Sequence, residues 1–153
     1  MLIRPIEDAD VPAAAALLRR AAEAYILHES SPEDAARFLA EQGEAALRGF
    51  IAAGYVYHVA CIGDILAGFI GVRARTHLYS LYVDERWHRR GIARRLWETA
   101  RAAALDGDPG HPGVFTVNAS NHALSLYEAL GFERTAPMQL GIVRYNPMRL
   151  MPV

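Results

Sequence analysis

The sequence has no lysine. All 16 of its basic residues are arginine, and 17 acidic residues leave a formal net charge of −1. A chain without a basic surplus has no global field to draw in nucleic acid, and no repeated aromatic–basic stripe stands in for one. Cysteine is nearly absent as well. Cys61 stands alone, which excludes a disulfide framework and a cysteine-rich metal site. No two histidines fall four apart on a helix, so no metal is expected. The opening MLIRPIEDAD lacks an apolar signal core, and no apolar run reaches membrane length. The expectation is a soluble, cytoplasmic protein with no membrane partner. Internal repeats and long linkers are missing too. So are the common nucleotide loops, Gly-x-x-x-x-Gly-Lys-Ser/Thr and Gly-x-Gly-x-x-Gly after a strand.

What is present is 153 residues, 52% of them apolar, enough for one globular domain spanning 1–153. LIRPI reads as a first strand. Asp10 and Pro12 open a helix through AAAALLRRAAEAYIL, with Leu17, Leu18, Ala21, Ala22 and Tyr25 at helical spacing. Ser31 caps a second helix whose first position is Pro32. YVYHVACI and ILAGFIGV are two strands joined by a two-residue turn at Gly63-Asp64. HLYSLYV is a third strand. Strict alternation puts Leu78, Ser80 and Tyr82 on one face and His77, Tyr79, Leu81 and Val83 on the other. From Gly91 a helix buries Ile92, Leu96, Ala100 and Ala104, with Ala93 and Trp97 beside them. VFTVN is another strand. Ser120 or Asn118 caps the helix in HALSLYEAL, which Gly131 ends. FERTAPMQL and IVRYNPMRL close the chain as strands, with Pro137 and Pro147 marking edges or bulges. The order predicts a mixed α/β sheet.

The chemistry gathers at DERWHRRGIARRLWE. A strand ending at Val83 feeds a short loop and then a helix. The first amides of a helix have no internal partners and the dipole is positive there, so an anion is favoured. Gly91 has no Cβ and lets backbone approach a phosphate. Arg89, Arg90, Arg94 and Arg95 add charge and paired donors. A phosphate or pyrophosphate is the expected ligand.

Here the sequence resembles a family. LYVDERWHRRGIARRLWE is similar to the acetyl-CoA signature of the GNAT superfamily N-acetyltransferases. In that signature Leu-x-Val precedes Gln/Arg-x-x-Gly-x-Gly/Ala. His88-Arg89-Arg90-Gly91-Ile92-Ala93 fills the motif, with His88 departing from Gln or Arg. VNASNHALSLYEALGFE resembles the family's second block through Asn121, Ala123, Tyr127, Gly131 and Phe132. The opening IRPIEDADVPAAAALL is also similar.

The resemblance implies a single-domain GNAT-like fold: a mixed, mostly antiparallel sheet of six or seven strands with a central splay, flanked by about four helices. It implies acetyl-CoA as co-substrate and an acetyl transfer to a primary amine by direct attack. The acceptor would be a small molecule or a peptide amine, and homodimerisation is left open. The backbone of Leu81, Tyr82 and Val83 would pair with the pantetheine arm. Amides from Arg89 to Arg94 would hold the pyrophosphate, Asn121 would bond the arm, and Tyr127 would sit near the sulfur.

Direct attack needs a neutral amine. At a pKa of about 10.4, roughly one lysine-like amine in a thousand is neutral at pH 7. His77 is a candidate base, on the face expected for Leu81 and Val83. Tyr79, Ser80 through a water, Glu29, His28 and His58 are alternatives. His28, His111 and His122 read as solvated. Tyr127 is the candidate acid for the leaving thiolate. Tyr25, His28, Glu29, Phe38, Met138 and Tyr145 are candidates for the acceptor pocket, and Glu29 hints at a cationic acceptor. The alternative reading is an inactive acyl-CoA-binding sensor.

Overall fold

Gly63 adopts φ +59, the left-handed backbone that a two-residue hairpin requires. It joins β2 (Val56–Ile62) to β3 (Ile65–Arg73) at the expected place. The computed structural model describes residues 1–152, and Val153, the last residue of the expected domain, lies outside them. Around the hairpin stand β1 (Leu2–Pro5), β4 (His77–Val83), β5 (Phe115–Ala119), β6 (Glu133–Arg134) and β7 (Asn146–Leu150). They make one seven-stranded sheet in the order β1-β2-β3-β4-β5-β7-β6. Its pairings are antiparallel except β4 with β5.

Helices α1 (Val11–Tyr25), α2 (Pro32–Glu41) and α3 (Glu44–Ala52) belong with one core, and α4 (Ile92–Asp106) and α5 (Leu124–Ala129) with the other. On α4, Ile92, Leu96, Ala100 and Ala104 are buried with Trp97 against Phe115 and Phe132, as the four-residue spacing predicts. On α1, Val11, Ala14, Leu17 and Leu18 are buried with Val59 and Phe69. Ser31 caps α2 by accepting from the Asp34 amide at 3.1 Å. The helix absent from the sequence reading is α3. Its N-cap is Gly43, with no side-chain bond, and it buries only Leu47 fully, so it lacks both a start signal and a broad apolar stripe.

Other local expectations are corrected. Asp10 does not cap α1 with its side chain. Its carboxylate instead takes a two-pronged contact from Arg4, at 2.7 and 3.0 Å, and the Glu7 amide at 2.8 Å. Arg4 thereby holds the Asp10 carboxyl below its usual range. The strand expected in FERTAPMQL is two residues long, followed by an isolated bridge between Gln139 and Tyr145. Pro147 lies in an inner strand, not at an edge. Its carbonyl accepts from Thr135 at 2.9 Å, so its missing amide falls on the side of β6, where pairing is short.

The correction with most consequence is in β4. Gly71 pairs with Ser80, yet Val72 pairs with Leu78, so Tyr79 is the extra residue of a β-bulge. A bulge reverses alternation beyond it. Leu78, Leu81 and Val83 therefore pack with the α4 core, while Tyr82 packs with the α1 core. His77 is thus not on the face of Leu81 and Val83. The partner strand accommodates the bulge through glycine: a Cβ on Gly71 would stand 2.2 Å from Cε2 of Tyr57. Gly71→Ala should therefore destabilise the protein by about 1–3 kcal/mol through overpacking. A thermal melt equal to wild type would show that Tyr57 can move aside freely.

Candidate acyl-transfer site

Strands β4 and β5 pair only at His77–Thr116 and Leu78–Val117. Beyond these they diverge, and the sheet opens. This is the expected central splay, and two cavities occupy it. The larger, about 520 Å³, runs from the start of α4 to Leu81, Tyr82 and Val83. The smaller, about 260 Å³, reaches between α2, β4, β5 and the segment before β7. They share Ile26, Leu81, Tyr82, Ser120 and Ala123, so the two meet at the middle of the splay.

The far end of the larger cavity is a backbone cradle. Arg89 has φ +64 and Gly91, the N-cap of α4, has φ +76. The first amide to find a backbone partner is that of Arg95, at 3.1 Å from the Gly91 carbonyl. Among the described residues, the six amides from Arg89 to Arg94 make no hydrogen bond. Consecutive amides freed by left-handed backbone at a helix N-terminus form a concave anion site. These residues suit a diphosphate. Asp84 shapes the approach to this loop. Its buried carboxylate accepts from the amide and the guanidinium of Arg86, which hold its pKa down to about 2. The His88 ring nitrogen Nε2 donates to the Val83 carbonyl at 2.8 Å, tying the loop back to the end of β4.

Most of the expected cofactor residues come together here. Leu81, Tyr82 and Val83 line the larger cavity on β4, and His88, Arg89, Gly91, Ile92, Ala93 and Arg94 line it at the loop and helix start. The Arg94 side chain turns aside to donate to the Ala129 carbonyl at 3.1 Å, which leaves its amide as the part facing the cradle. Arg90 and Asn121 do not line the cavity. Asn121 donates to Glu29 at 2.9 Å and accepts from Asn146 at 2.9 Å, so its amide group is committed within the fold.

Tyr127 lines the smaller cavity. Its ring is buried and meets Phe132 edge-on at 5.7 Å. Among the described residues its hydroxyl has no partner. Burial, and then the neighbouring Tyr82, push its phenol pKa well above the usual value. His77 lines neither cavity. It meets the Thr116 hydroxyl at 2.8 Å, and burial and Arg73 lower its pKa. His58 is buried on β2, outside both cavities, with its pKa lowered by burial.

Of the acceptor-pocket candidates, Phe38 and Tyr145 line the smaller cavity, while His28, Glu29 and Met138 do not. Tyr79 and Ser80, held as alternative bases, do line it, and Tyr79 accepts from Gln42 at 3.0 Å. Tyr25 lines the larger cavity instead. There it stacks on His122 at 4.2 Å and bonds Glu85, which links α1 to the loops before α4 and α5. His122 is exposed but not merely solvated. The sequence carries no local sign of this contact, because the two residues are far apart in the chain.

A family model described as the acetyltransferase (GNAT) domain matches residues 26–151. The chain belongs to the GNAT acetyltransferase family. It is therefore an acyltransferase. No curated protein matches it in sequence. Solved structures share the GNAT fold over nearly the whole chain. The PaiA N-acetyltransferase of Thermoplasma acidophilum, in complex with coenzyme A, superposes with a TM-score of 0.80 at 16% identity, covering 98% of each chain. The GCN5-related N-acetyltransferase of Rhodopseudomonas palustris gives 0.79 at 19% identity, over 98% of this chain and 94% of that one. The yncA protein of Salmonella typhimurium, with acetyl-CoA, gives 0.68 at 21% identity, over 99% and 93%. At these identities the likeness shows the fold alone. Among the described residues no helix is long and apolar enough to cross a membrane.

Proposed function

We propose that this GNAT protein transfers the acetyl group of acetyl-CoA to a primary amine by direct attack. The observation that carries this reading is the junction of the two cavities. A groove from the six partnerless amides meets, at Leu81, Tyr82, Ser120 and Ala123, a second cavity bearing Tyr127. Coenzyme A bound to the Thermoplasma structure and acetyl-CoA bound to the Salmonella one support the choice of co-substrate.

When bound, acetyl-CoA supplies an electrophilic thioester carbonyl and a good leaving thiolate. The chain's own residues do the rest. Amides 89–94 hold the diphosphate. The edge of β4 that faces the splay, at Leu81–Val83, offers backbone groups to the arm, and one of its amides faces the oxygen where negative charge develops. The amine nitrogen bonds to the acetyl carbon as the carbon–sulfur bond breaks. The Tyr127 hydroxyl gives its proton to the sulfur, and the proton shed by the nitrogen returns through water to restore the Tyr127 phenol.

Among the described residues no Asp, Glu or His lines the smaller cavity. The amine therefore enters neutral or loses its proton to water. With no Asp, Glu or His lining the smaller cavity among the described residues, kcat/KM should rise with pH until the acceptor's own pKa. His77→Gln should keep that profile. Loss of a limb at or below about pH 6.5 in this variant would instead make His77 the base. The deciding experiment is release of free CoA from acetyl-CoA across an amine panel, with the acetylated product identified by mass. Tight acetyl-CoA binding without turnover for any amine would favour the sensor reading.

A further inference from the structure

The smaller cavity has an unusual charge for a site that receives amines. Its walls mix apolar and aromatic residues, Phe38, Tyr79 and Tyr145 among them, with neutral polar ones such as Gln42 and Asn118, and among the described residues its single charged residue is Arg144. Glu29, the carboxylate of the nearby turn, bonds Asn121 and stays outside. Among the described residues Arg144 makes no ion pair and no side-chain hydrogen bond. Its backbone is nonetheless well placed. Gln139 and Tyr145 exchange both backbone bonds, at 2.8 and 3.1 Å, and the Ser30 hydroxyl donates to the Ile142 carbonyl at 2.7 Å. The segment carrying Arg144 is thus pinned on both sides, and Arg144, an exposed residue, lines the cavity with no side-chain partner among the described residues.

This charge selects among amines. A polycation or a lysine side chain brings an ammonium that needs carboxylates to replace its water, and here it would meet a guanidinium. An α-amino group at a peptide terminus has a pKa of about 7.7–8.0, against about 10.4 for lysine. Its neutral fraction at pH 7 is larger by on the order of a hundredfold, so it needs no base. A guanidinium that lacks a partner matches a carboxylate by paired hydrogen bonds. We propose that the acceptor is a small peptide α-amine, with its carboxylate on Arg144 and an apolar side chain against Phe38, Tyr79 and Tyr145. This rests on the acetyl-transfer reading.

The test uses the full chain with acetyl-CoA and two dipeptides of matched amine pKa, glycyl-phenylalanine and its C-terminal amide. The acid should be preferred by at least about tenfold in kcat/KM, mainly through KM, as expected for a hydrogen-bonded charge pair. Arg144→Ala should bring the ratio of acid to amide near one, and Arg144→Glu should invert it. Circular dichroism and acetyl-CoA affinity check that both variants are folded. Equal rates for acid and amide in the wild type, or an unchanged ratio in both variants, would overturn the assignment. Acetylation of spermidine or a lysine amide in preference to both dipeptides would overturn it while leaving acetyl transfer intact. Binding of acetyl-CoA with no amine acetylated would remove the transfer reading and this proposal with it.

Discussion

Gly91→Glu should weaken acetyl-CoA binding by at least about 100-fold with the fold intact. Two effects combine. Gly91 holds φ +76, where a residue with a Cβ costs roughly 1–2 kcal/mol. The added carboxylate also stands beside the amides that receive the diphosphate, and two like charges about 5 Å apart repel by about 3 kcal/mol at an effective dielectric of 20. Crowding is not the cause, because a Cβ on Gly91 meets nothing within 4 Å. Gly91→Ala isolates the conformational part. If the loop keeps its shape, that cost appears in thermal stability. If the loop relaxes, it appears as about a tenfold loss of affinity. Calorimetry showing wild-type acetyl-CoA affinity in folded Gly91→Glu would remove the cradle from the site.

Tyr127→Phe should lower kcat by about 10²-fold, the lower end for general acid catalysis, with little change in acetyl-CoA affinity. The substitution removes one oxygen from a ring that is buried against Phe132, so packing is kept. Its phenol pKa is raised by burial and by Tyr82. The sign follows directly. A raised pKa keeps the protonated, donating form at higher pH, so no alkaline loss of kcat from this group is expected below about pH 10. An unchanged kcat with the best acceptor would make Tyr127 a packing residue and water the proton source.

The anion cradle was legible because it is local. A strand end, a short loop, Gly91 and a helix start follow one another within a dozen or so positions, and helix-end amides lack partners in any fold. The Gly63 turn, the Ser31 cap and the α4 stripe were legible for the same reason: each is decided by backbone geometry or by the spacing of near neighbours. The resemblance of two motifs carried the sheet and its splay. Asn121 shows where motif matching stops short, because Glu29 and Asn146 reach it only in the folded chain.

What only the tertiary structure decided depends on contacts between distant segments. Strict alternation placed His77 with Leu81 and Val83, but the bulge at Tyr79 reverses β4. The register shift falls beside Gly71 on β3, which Tyr57 of β2 packs against, so nothing within HLYSLYV announces it. Arg144 is one of 16 arginines, and no local pattern sets it apart. It gains its place when the segment before β7 closes over the end of the splay. The sequence by itself determined helices α1, α2, α4 and α5, the turn and the phosphate end of the groove, since these follow from short-range periodicity and capping. Which faces of β4 point into the groove, and which residues line the smaller cavity, were decided by packing between segments far apart in the chain.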